Sequence, residues 1–264
     1  MQMGQRTKQQ TRQQWKAQAG VFLAIAFVAA GALGAVQPAT GIPSEVLQLT
    51  QFGPALAVAV AALLWPALTR GLLAGHPTGT AVRRRVLIAT APSAILLAAG
   101  SYALFTGAAH VTDPRSLHHS FLLVLGAQLV GACGEEIGWR CFLQPLLRTR
   151  FRPVTASVVV GVAWGLWHVQ VLAGSPAYAA GFLLATTAMS VVLGVALDEA
   201  RGYQRLLLAG AFHCLINLGM LLVMDEETGR AAPMVLFGLA CAATALPWMW
   251  RGRRGAPVRI AERV

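Results

Sequence analysis

Two adjacent glutamates, Glu135 and Glu136, and Arg140 lie inside a stretch that otherwise reads as membrane-spanning. From Phe121 to Leu147 the remaining residues are overwhelmingly apolar, apart from two glutamines. A charge at the bilayer centre costs roughly 2.5–3.5 kcal/mol on the insertion scale. Three ionisable groups within six positions therefore face a bundle interior or a wet cavity, and such groups are functional candidates by default. Two other apolar stretches also carry unusual polar residues: Trp164 and His168 in one, His213 and Asn217 in the other. Glu136 and Arg140, Trp164 and His168, and His213 and Asn217 are each four residues apart, so each pair shares one helical face.

These residue types suggest hydrolysis. Two neighbouring carboxylates in a low-dielectric site do not both ionise cheaply. Arg140 is about 40° around the helix from Glu136 and about 140° from Glu135. Glu136 is thus the natural ion-pair partner of Arg140, a structural brace, and Glu135 is left to act as a general base. His168 then shares a water with Glu135 or binds a metal. The Asn217 amide and the His213 imidazole suit a developing oxyanion, and together the six residues make a hydrolytic constellation. Each also has a bland reading: a histidine bonded to a neighbouring helix, a purely structural ion pair, an asparagine as interhelical glue.

The elements that position these groups are apolar helices. The chain has 264 residues, 56% of them hydrophobic and only 12% charged, where a soluble domain carries about 25% charged residues. Eight segments approach the ~20 residues that a spanning helix needs, at roughly 20–36, 52–69, 86–107, 120–147, 154–173, 177–197, 206–224 and 232–250. The expected fold is an all-α polytopic transmembrane bundle of about eight spans. A basic tail at 1–19 and another at 251–264 flank the helical domain at 20–250. The first span follows basic residues without a small-residue cleavage site, and reads as a retained anchor rather than a signal peptide.

The net charge of +11 is distributed by topology. Arg6, Lys8, Arg12 and Lys16 precede the first span, and Arg70, Arg83, Arg84 and Arg85 follow the second. Arg148, Arg150 and Arg152 follow the fourth, Arg201 and Arg205 the sixth, and five arginines the eighth. Only Arg115 and Arg230 fall in the opposite loops. This positive-inside asymmetry puts both termini in the cytoplasm, and the basic tails suit anionic lipid headgroups rather than nucleic acid. On that topology Glu135 lies ~18 Å, His168 ~21 Å, His213 ~12 Å and Asn217 ~18 Å from the cytoplasmic ends of their helices. Three helices thus carry their polar groups to similar depths.

Other features read as structural. Cys133, Cys141, Cys214 and Cys241 lie within spans without CxxC spacing, and read as small apolar filler. His110, Asp113, His118 and His119 in the loop after the third span are interfacial polar residues; adjacent imidazoles point apart. Gly134 with Gly138 and Gly161 with Gly165 have the small-xxx-small spacing of close helix contacts, which suggests that segments 4 and 5 touch near their polar residues.

The strings Glu135-Glu136-Ile-Gly-Trp-Arg140, Trp164-Gly-Leu-Trp-His168 and His213-Cys-Leu-Ile-Asn217 resemble the three motifs of the CPBP intramembrane endopeptidases. That family includes the type II CAAX prenyl proteases and the bacterial bacteriocin-processing and immunity (Abi) proteins. Its motifs are EExxxR, FxxxH and HxxxN in this order, and the match spans about 83 residues, Glu135 to Asn217. The departure is Trp164 where the family usually has Phe, an aromatic exchange that touches packing rather than chemistry.

The resemblance implies an eight-helix membrane protease in which Glu135, with His168, activates water, while His213 and Asn217 stabilise the tetrahedral intermediate. It leaves open a divalent metal such as zinc, for which Glu135, His168 and His213 would be the three ligands. The implied partners are a membrane-embedded or lipidated peptide or protein substrate and the membrane lipids. High Ala, Gly and Arg with only two Lys tilts the substrate toward a bacterial peptide or membrane protein, and the location toward a bacterial cytoplasmic membrane. The competing classes are a non-catalytic membrane scaffold and a proton-coupled transporter, the latter expected to show repeat symmetry and interrupted helices.

Overall fold

The computed structural model describes residues 2–74, 80–107, 109, 111–224 and 230–253, with side chains from Gln14 onward. His110, the side chains of Arg6, Lys8 and Arg12, and the arginines beyond Arg253 lie outside the described residues. Among the described residues the fold is all-α. The helices are α1 (Gln2–Val36), α2 (Gly53–Leu64), α3 (Pro66–Leu73), α4 (Ala81–Thr106), α5 (Phe121–Gly138), α6 (Gln144–Arg148), α7 (Pro153–Trp167), α8 (Pro176–Ala196), α9 (Gly202–Val223) and α10 (Ala231–Gly252). Six apolar helical stretches are long enough to cross a membrane: Gln14–Thr40, Ala81–Thr106, Phe121–Arg148, Pro176–Ala196, Gly202–Val223 and Ala231–Gly252. The protein is a multi-pass integral membrane protein.

The other two expected spans, the second and the fifth, are shorter apolar helices, Leu49–Leu64 and Pro153–Trp167. Segment 52–69 breaks at Trp65 (φ −137°, ψ 65°). Pro66 lacks an N–H and disfavours helical backbone in the residue before it, so the chain restarts there as α3. At the N-terminus the helix begins at Gln2, so the basic stretch read as a tail continues α1 backward.

The expected fourth span is one helical stretch, Phe121–Arg148, with a π-helical turn over Trp139–Leu143 between α5 and α6. Pro145 supplies no N–H to the Cys141 carbonyl, and its ring crowds that oxygen; the wider π turn relieves both. Such turns gather at functional sites. All five residues of the turn are buried, and Trp139 and Phe142 close an aromatic cluster with Phe22 of α1 and Trp167 of α7. Trp167 Nε1 also donates to the Ala26 carbonyl at 3.1 Å.

The principal packing runs α1–α2–α5–α9–α4–α10–α8–α7. The small-residue faces seat differently from the expectation. Gly134 abuts Gln51 and Phe52, a methyl group there lying 2.9 Å from the Phe52 ring, and Gly138 abuts Pro54. A methyl group at Gly161 would lie 2.6 Å from Thr187 Cα, and Gly165 faces Thr186 and Leu183. The glycines of segment 4 therefore admit the entry to α2, and those of segment 5 admit α8. Segments 4 and 5 do touch near their polar residues, but through side chains: Trp164 on Glu135 and Arg140, Trp139 on Trp167, and Gln144 on Ser157.

Of the loop residues, His119 Nε2 lies 3.3 Å from Glu45 Oε1 and His118 is exposed, as suits interfacial polar groups. The four cysteines are free thiols.

Candidate active site

Glu135 and Glu136 occupy the last turn of α5, where successive side chains diverge by about 100° and acquire different partners. Both are buried, as are Arg140, Trp164 and His213, while His168 and Asn217 are half-buried. Glu135 accepts two hydrogen bonds: from Trp164 Nε1 to Oε2 at 2.7 Å and from Gln51 Nε2 to Oε1 at 3.3 Å. The carboxylate is held at both oxygens by neutral donors from α7 and from the turn that precedes α2.

Glu136 faces the other way and has two partners. Arg140 Nε lies 3.2 Å from its Oε2. The guanidinium sits 5.0 Å over the Trp164 ring. The Glu136 contact is close enough for an ion pair yet lacks hydrogen-bond alignment, so Arg140 is held by charge and by the indole face. His213 Nδ1 approaches Glu136 Oε1 at 3.0 Å. Glu136 therefore braces a catalytic candidate as well as Arg140, a link that the spacing within one motif does not reveal.

His168 is not on the face of a continuous helix. It follows the last residue of α7 with φ −78° and ψ 64°, before the 3₁₀ turn Val169–Ala173. Its Nδ1 lies 2.9 Å from the Trp164 carbonyl. A carbonyl only accepts, so Nδ1 carries the proton and Nε2 presents a lone pair. The ring is packed edge-on by Trp167 and Phe182, each 4.9 Å between centroids.

Asn217, one turn beyond His213 on α9, donates through Nδ2 to Gln128 Oε1 at 3.0 Å. Gln128–Asn217 and Glu136–His213 are two rungs joining α5 to α9 with opposite chain direction. Glu135 is in electrostatic reach of both His168 and His213, and the Trp164 ring lies 5.0 Å from that of His213. Trp164 thus contacts Glu135, Arg140, His168 and His213. As an indole it supplies an N–H that phenylalanine lacks, so the aromatic exchange adds a hydrogen bond to Glu135 to its effect on packing.

Sequence reading overlooked Gln51 and left Gln128 among the unassigned polar residues of its helix. The available signal was an amide within or bordering an apolar segment, where an unpaired polar group is costly. Among the described residues, no group of three or more His, Cys, Asp or Glu comes together in a way that would hold a metal ion. Both Glu135 oxygens already accept hydrogen bonds, and the Nδ1 atoms of both histidines are engaged.

Comparison with known proteins gives the constellation a family. Residues 117–219 match the family described as type II CAAX prenyl endopeptidase Rce1-like. The chain is 26% identical over 231 residues to lysostaphin resistance protein A of Staphylococcus epidermidis, covering 86% of this chain and 60% of that protein. It is 23% identical over 240 residues to the protein of the same name from Staphylococcus aureus, covering 89% of this chain and 57% of the relative. The chain thus spans about 60% of the length of the curated relatives that it matches. The matched segment contains all six predicted site residues, and over it the chain is similar to the Rce1-like type II CAAX prenyl endopeptidases.

Proposed function

We propose that this protein is an intramembrane endopeptidase that hydrolyses a peptide bond of a membrane-associated or lipidated protein or peptide. The observation that carries the reading is the buried Glu135, fixed at both oxygens, one of them by Trp164, whose ring lies against those of His168 and His213. Glu135 takes a proton from a water that it shares with His168 Nε2. The water oxygen attacks the scissile carbonyl carbon, and the carbonyl π electrons move to oxygen. Asn217 keeps a second amide N–H after bonding Gln128, and this donor, with the Nε2–H of His213 as an imidazolium held against the Glu136 carboxylate, faces the developing oxyanion. When the C–N bond breaks, the proton held by Glu135 passes to the leaving nitrogen.

Glu136 fixes the His213 ring and Arg140; Gln128 and Gln51 fix Asn217 and Glu135. No step is routed through a metal. The similarity to the Rce1-like family favours a prenylated or otherwise membrane-held substrate, and the bacterial relatives favour a peptide or membrane protein of a bacterial cytoplasmic membrane. The helix breaks at Trp65 and His168 are also what a transporter would display, but the family match weighs toward hydrolysis.

The test compares peptide termini in membranes and medium from cells expressing wild type or Glu135→Gln at matched levels. New termini that vanish in the variant are the expected result. Unchanged cleavage by Glu135→Gln sinks the mechanism, and identical termini with a retained wild-type phenotype point to a scaffold.

A further inference from the structure

At the end of the bundle where α6 leads to α7 and α8 to α9, a cavity of about 240 Å³ is lined by Arg140, Gln144, Arg148, Asp198, Arg201 and Arg205, among others. Its charge is only partly answered. Arg148 grips Asp198 with Nε at 2.6 Å and Nη2 at 3.0 Å, and its Nη1 donates to the Phe151 carbonyl at 2.6 Å. Arg140 has Glu136 behind it. Two cations remain. Arg205 is buried, and its Nε donates to the neutral Ala200 carbonyl at 2.9 Å. Among the described residues, neither Arg201 nor Arg205 forms an ion pair.

Uncompensated cationic charge around a partly open cavity is costly unless an anion answers it. The space is several times the roughly 30 Å³ that one water occupies in the liquid, and so admits a tetrahedral oxyanion with part of an ester substituent. Guanidinium forks match phosphate oxygens geometrically. Basic pockets between helices on the cytoplasmic side are typical seats for anionic headgroups, and this cavity joins three of the basic connections. On its α3 side the wall includes Gly71 and Leu72, beside the exposed Leu73. An acyl chain leaving the cavity there would find apolar surface.

We propose that this cavity binds a phosphate group through Arg201 and Arg205, carried by an acidic phospholipid headgroup or present as free phosphate. This site meets the Glu135 constellation only at Arg140, and the proposal does not depend on proteolysis.

The test uses the purified full chain in phosphatidylcholine nanodiscs. Phosphatidylglycerol is titrated in one arm and inorganic phosphate, at constant ionic strength, in the other. Retained lipid is read by native mass spectrometry and phosphate binding by calorimetry. Preferential retention of phosphatidylglycerol without a phosphate response assigns the headgroup, and a phosphate response assigns the free ion. In either case Arg201→Gln should weaken binding by about 10-fold, and the double change with Arg205→Gln should abolish it. Arg85→Gln, exposed and outside the cavity lining, should leave binding unchanged. Should the buried Arg205 variant fail to fold, the half-buried Arg201 variant decides alone. Equal retention of the two lipids together with no phosphate response, or wild-type binding by Arg201→Gln, overturns the proposal.

Discussion

Trp164 donates its indole N–H to Glu135 Oε2 at 2.7 Å, while the face of the same indole supports the Arg140 guanidinium. One side chain thus touches both the proposed base and the cation that braces its neighbour. Trp164→Phe keeps an aromatic ring and removes only the donor. A hydrogen bond to a charged group contributes about 1.5–3 kcal/mol, so its loss should lower the melting temperature and also cut turnover per folded molecule by about 10-fold or more in a purified cleavage assay. Wild-type turnover in Trp164→Phe would remove this bond from the mechanism.

Glu136 sits between Arg140 and His213, so Glu136→Gln strands a buried guanidinium and loosens an imidazole. Breaking a buried ion pair from one side costs about 3–5 kcal/mol, and thermal denaturation in detergent should show a large loss together with loss of cleavage. The paired change Glu136→Gln with Arg140→Met removes both charges. It should recover much of the stability without recovering activity, because His213 still lacks its anchor. Destabilisations that simply add would show that the two residues are not coupled.

Gln128 accepts from Asn217 and plays no chemical part itself. Gln128→Leu should lower kcat with KM nearly unchanged, by about 5-fold for a net hydrogen-bond contribution near 1 kcal/mol. Gln128→Glu retains an acceptor and should restore most of the rate. A rise in KM alone would instead make Gln128 part of the substrate path.

A site with both Glu135 oxygens occupied by N–H donors should work without a bound cation. Cleavage by the purified full chain should persist after dialysis against a strong chelator. Loss of activity that zinc restores would require Glu135, His168 and His213 to turn together onto one ion.

The sequence by itself determined the class of fold and the identity of the six candidate residues, because charge in an apolar segment is energetically conspicuous and apolar runs mark helices wherever they lie. It also marked one helix break and the widened turn with a physical cue: Pro66 after Trp65, and Pro145 after Trp139–Leu143. Partnership was not legible. Adjacent glutamates look alike in one dimension. Only the tertiary structure sends Glu135 to Trp164 and Gln51, and Glu136 to Arg140 and His213, because each faces a different neighbouring helix. The same reason placed Gly134 and Gly161 against α2 and α8 rather than against each other. Spacing along one helix fixes which face a residue occupies; the packing order of the bundle decides what stands opposite that face.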